Sequence, residues 1–126
     1  VDSAQRIRRE IEETTGTKTS VVSVGTETIV FFVYEIPEGK MKGQSIAVGI
    51  SMQGMELYPV IPPHFIHVPE GITDGQSPPH HTYSLPDGRI YHAFSRPVGG
   101  DWDRLPEQNM KAYLEAHMPR FWRFVQ

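Results

Sequence analysis

Between Tyr58 and Phe94 the chain gathers five of its six histidines, His64, His67, His80, His81 and His92, together with Tyr83 and Tyr91. Imidazole is the side chain that changes charge near neutral pH, and a phenol can donate, accept or, if activated, attack. Chemistry is therefore expected in this stretch if anywhere. His80, His81 and His92, with Asp87 or Asp101 as a fourth donor, are the candidates for a metal, because imidazole suits zinc. Neither the adjacent pair nor the later spacing is a ligand signature. The expected role is hydrogen bonding that braces a loop, with no cofactor. His64 and His67, three apart in an extended segment, should point to opposite faces and so cannot share an ion. Tyr91 and His92 diverge for the same reason, which favours a buried phenol with one hydrogen bond over an acid–base pair. Ser95-Arg96 offers a fork suited to a carboxylate or phosphate.

These residues need a frame. Asp2 to Gly16 reads as a helix, with Ala4, Ile7 and Ile11 on one face, Asp2 or Ser3 at the cap and Gly16 at the stop. Its charged face reads as solvated surface. Three strands are expected next: Ser20 to Val24, then Thr28 to Ile36, then Ile46 to Met52. The second is a β-branched and aromatic run suited to a central strand covered on both faces. The third alternates large (Ile46, Val48, Ile50, Met52) with small (Ala47, Gly49, Ser51). Short connections favour an antiparallel meander.

Tyr58-Pro59-Val60-Ile61-Pro62-Pro63 then removes three backbone donors in five residues and reads as a rigid bend. Residues 64–68 make a fourth strand. A long loop follows, and residues 80–100 read as mostly irregular around a tight Pro86-Asp87-Gly88 turn. Trp102 is expected to anchor this loop against the core. The last helix is expected to begin near Pro106, with Met110, Tyr113, Leu114, His117, Met118 and Phe121 on its apolar face, and to end or kink at Pro119.

At 126 residues, with 38% apolar and 21% charged side chains, the chain reads as one domain spanning residues 1–126. A net charge of −3 without a basic stripe argues against nucleic acid. The absence of cysteine excludes disulfides, thiolate zinc sites and a cysteine nucleophile. No apolar run is long enough for a bilayer, and a cytoplasmic protein with no membrane partner is the expectation.

Helix, four-stranded meander, proline bend, long loop and helix is an order that resembles the ubiquitin-conjugating (E2) superfamily. Tyr58-Pro59-x-x-Pro62-Pro63 is similar to that family's Tyr-Pro-x-x-Pro-Pro. His81-Thr82-Tyr83 falls where the family has a His-Pro-Asn turn, and Gly88-Arg89-Ile90-Tyr91 where it has Gly-x-Ile-Cys. Trp102 falls at a family tryptophan. The resemblance implies an α+β, UBC-like fold in which His81 ties the turn to backbone groups and Tyr58 packs against the loop carrying His81.

It also implies a vestigial site of His81, Tyr83, Tyr91 and His92, with Tyr91 at the nucleophile position. A phenol with a pKa near 10 is a poor thioester acceptor. The resemblance thus implies either a catalytically silent E2 variant or a member of one of the divergent prokaryotic E2-like families, a domain that binds rather than catalyses. Its implied partner is a ubiquitin-like protein or an E1- or E2-like protein. The alternative is an enzyme of different chemistry on the His/Tyr loop, using metal-assisted hydrolysis.

Overall fold

Period-two alternation is what makes the first half of the chain a sheet. The computed structural model describes residues 3–52 and 57–125. Helix α1 (Ser3–Thr15) leads into β1 (Thr19–Val24), β2 (Glu27–Glu35), β3 (Ser45–Ser51) and β4 (Phe65–Pro69). These four are consecutive antiparallel neighbours, as expected. The sheet does not stop there. His81–Ser84 and Ile90–Ser95 form β5 and β6, giving six strands in the order β1-β2-β3-β4-β6-β5. The four-stranded sheet and the irregular segment 80–100 are thus corrected. Proline and glycine around these two short runs conceal a hairpin closed by the Pro86-Asp87-Gly88 turn, in which the Gly88 N–H donates to the Leu85 carbonyl at 2.9 Å.

The final helix also differs. It starts at Met110, not near Pro106, because the Asn109 side chain caps it by accepting from the Ala112 N–H at 2.9 Å. It runs as α3 (Met110–Ala112), a π-helical turn (Tyr113–His117) and α4 (Met118–Arg123), after a short α2 (Asp101–Arg104). In the wide turn the Met118 N–H donates to the Tyr113 carbonyl. That turn places Pro119 in the first turn of α4, where no N–H is required, so the helix continues through it. Asp2, offered as a cap of α1, lies outside the described residues.

Both helices cover one face of the sheet. Ile7 and Ile11 from α1 meet Val30, Phe32 and Tyr34 of β2, Val48 and Ile50 of β3, and Tyr113, Met118 and Phe121 of the last helix. Burying each such side chain contributes roughly 1.5–3 kcal/mol. The opposite residues of β2, Ile29 and Phe31, join Leu85 and Tyr91 in a second cluster. Strand β2 is therefore covered on both faces from Ile29 to Phe32, while Val33 on the second face is 44% exposed. Gly49 is where the second face is tightest: a Cβ there would stand 2.8 Å from Ile29 Cγ2 and 3.1 Å from His67 Cβ. Among the described residues no helix is long and apolar enough to cross a membrane.

Candidate functional site

The small residues of β3 leave a depression on the face away from the helices, and polar side chains fill it. Alternation along the paired strands sets Glu27 (β2), Ser51 (β3), His67 (β4), His81 and Tyr83 (β5) on this face. Gly49 is opposite His67, and Ala93 stands in register between His67 and His81, so neither obstructs the rings.

The bonds form one directional chain. Tyr83 O–H lies 2.7 Å from His67 Nδ1, and His67 Nε2 lies 2.7 Å from Ser51 Oγ. Ser51 donates to Glu27 Oε1. The serine proton being committed there, His67 Nε2–H is the donor toward Ser51, and Nδ1 accepts from Tyr83. Nε2 is also 3.4 Å from Glu27 Oε1, while His81 Nε2 is 3.2 Å from Glu27 Oε2.

Burial opposes ionisation of Glu27, but the hydrogen bonds from His67 and Ser51 outweigh it and hold its carboxyl at about 2. Burial depresses the His67 pKa despite the bond to Glu27, so this ring is neutral. Burial likewise raises the Tyr83 phenol. As chemistry, this is a closed network. Ser51 and His67 are 1% and 0% exposed, and a carboxylate held at about 2 is a weak base. Glu27, His81 and Tyr83 reach solvent, the first two with side chains 20% and 34% exposed.

Both depressed groups act in the same direction on stability. The unfolded chain binds protons more readily than the folded one, so stability is fully present above the ordinary values and falls with pH. A first loss is expected as pH drops below 6.5, where His67 and also His64 and His117 are depressed by burial. A second is expected between 4.5 and about 2, from Glu27. Urea titrations across pH check this: Glu27→Gln should shrink the second loss, to which Glu10 also contributes, and deepen the first, because Glu27 holds the His67 pKa up against burial.

The other expected site residues are dispersed. His92 pairs with Thr82, whose Oγ1 lies 2.8 Å from His92 Nδ1, on the face opposite His81. His80 rests against the ring of Phe65, with centroids 5.1 Å apart. His80, His81 and His92 therefore do not converge, and among the described residues no group of three His, Asp or Glu is spaced to hold a metal. His64 precedes β4, so alternation does not govern it; its Nε2 lies 2.7 Å from Ser95 Oγ. Arg96 takes its carboxylate from within the chain, clasping Asp74 at 2.6 and 2.8 Å.

His81-Thr82-Tyr83 is strand and not a turn, and the His81 ring faces the Glu27 carboxylate at 3.2 Å. Tyr58 is buried, but against α1 and Trp102, away from the face of His81: its hydroxyl donates to Glu10, and Trp102 Nε1 donates to the Pro59 carbonyl at 2.8 Å. The Tyr58-Pro59 peptide is cis, Pro63 is buried and Pro62 half-buried.

Tyr91 is 1% exposed and donates to the Ala47 carbonyl at 2.9 Å. Continuing the β3–β4 register by two residues from Gly49 and His67 sets Ala47 opposite Pro69, which has no N–H to offer. The phenol supplies the missing donor. Burial raises its pKa, against the opposing charge of Arg89. Sequence reasoning missed Glu27 and Ser51; the one signal for them was the small-residue side of β3, which requires larger groups from its neighbours.

No known protein family, characterised protein or solved structure gives a significant match to this chain.

Proposed function

We propose that the chain is a catalytically silent, E2-like binding domain that engages a ubiquitin-like protein, or an E1- or E2-like protein, in a protein-conjugation pathway. The observation that carries this reading is the fate of Tyr91. At the position where the resemblance sets a nucleophile, its hydroxyl is buried and spent on the Ala47 carbonyl. The order of α1 and the first four strands supports the resemblance; the proline segment does not, since Tyr58 docks on α1 and Trp102 and not on the segment carrying His81. The placement of His80, His81 and His92 speaks against the alternative, a metal-assisted enzyme, because His92 bonds Thr82 on the face opposite His81.

The contact surface in this reading is the proline segment itself. Leu57, Val60 and Ile61 are 51%, 73% and 42% exposed on a loop fixed from beneath by the bonds of Tyr58 and Trp102. A rigid apolar projection loses little entropy on binding. Calorimetric titration with ubiquitin-like and E1-like proteins of the same genome tests the proposal. Val60→Asp should weaken binding at least tenfold, about 1.4 kcal/mol, with an unchanged thermal midpoint. An equal affinity for Val60→Asp would remove this surface from the account. Binding of neither class, nor of an E2-like protein of that genome, would remove the pathway.

A further inference from the structure

Strand β1 is an edge of the sheet, and it lacks the devices that normally keep an edge from pairing. Its sequence, Thr19-Ser20-Val21-Val22-Ser23-Val24, holds no charge and no proline. The other edge, β5, is four residues long and lies between Pro78-Pro79 and Pro86.

The direction of the free groups on β1 follows from its neighbours. The N–H of Thr19 donates to Glu12 Oε2 at 2.9 Å, and its carbonyl accepts from Arg8 Nη2 at 3.4 Å. Thr19 therefore turns its backbone away from β2, toward α1. By the period of two, Val21 and Ser23 also turn theirs outward. Both residues are exposed, and Val22, whose side chain joins the second-face cluster, lies between them.

We infer that β1 pairs with β1 of a second copy of this chain, antiparallel about a two-fold axis at Val22. In that register Val21 of one copy faces Ser23 of the other, and the reverse, forming two reciprocal hydrogen-bonded pairs. Val22 meets Val22 at the intervening position, where side chains approach most closely, and joins the two second-face clusters. The strand has no charge to repel its own copy. The α1 side chains on Thr19 end the ladder, so the interface is small and its affinity modest.

Sedimentation equilibrium on the whole chain, up to roughly 1 mM, spans the range in which small interfaces associate. The expected result is a mass that rises toward that of two chains. Ser23→Pro removes an outward donor and leaves the β2 ladder intact, and Val21→Lys adds the missing guard charge. Both should remain monomeric, and Val21→Lys serves alone if Ser23→Pro fails to fold. A wild-type chain monomeric throughout would overturn the inference. So would dimers that persist in Val21→Lys or in folded Ser23→Pro, since these would place the interface elsewhere.

Discussion

Asp74→Ala is expected to cost roughly 3–5 kcal/mol in a urea titration, the largest single effect of a charged residue in this fold. Asp74 is 3% exposed and accepts both arms of the Arg96 fork. The guanidinium also donates to Ser77 Oγ and the Ser95 carbonyl, and lies 5.0 Å from the centre of the Phe94 ring. Removing the carboxylate leaves a cation confined with too few acceptors, and the segment after β4 loses its tie to β6. Replacing both partners together, as Asp74→Leu with Arg96→Met, should cost far less than the sum of the single changes, because no stranded charge remains. A loss below about 1 kcal/mol for Asp74→Ala would mean that Arg96 escapes to solvent.

The second large effect belongs to Tyr91. Its ring meets Phe31 edge-on at 5.2 Å and stacks on Tyr83 at 6.3 Å. Tyr91→Ala removes these contacts and opens a cavity, with an expected cost of roughly 3–5 kcal/mol. Tyr91→Phe keeps the ring and deprives only the Ala47 carbonyl of its donor, at about 1 kcal/mol. The gap between the two, read from denaturation midpoints at equal slope, separates packing from hydrogen bonding. Near-equal losses would place the value of the residue in its hydroxyl.

Local pattern made some of this architecture legible and concealed the rest. The alternation of Ile46, Val48 and Ile50 with Ala47, Gly49 and Ser51 identified both faces of β3, and the run from Ile29 to Tyr34 identified a strand that is buried on both sides as far as Phe32, with Val33 exposed. Glu10 was not legible. A glutamate on a charged helix face normally meets water, yet Tyr58 and the Met110 N–H arrive from 48 and 100 residues away to bond it. Strand β5 was hidden because four residues among prolines carry too little periodicity to register. The Glu27–Ser51–His67 cluster is assembled only when β2, β3 and β4 come into register, so no spacing in the chain announces it. The Arg96 fork is legible as an anion ligand, but its partner, 22 residues earlier, lies in a stretch rich in proline and glycine that carries no periodicity.

The most direct test of a silent binding domain uses Tyr91→Phe beside the unchanged chain, each incubated with a ubiquitin-like protein, its E1-like enzyme and ATP. Intact-mass spectrometry then reads adducts, and calorimetry on the same samples reads affinity. The account predicts no covalent adduct on either chain and affinities equal within a factor of about two, under 0.5 kcal/mol. A conjugate mapped to Tyr91, or a folded Tyr91→Phe that has lost its partner, would contradict it.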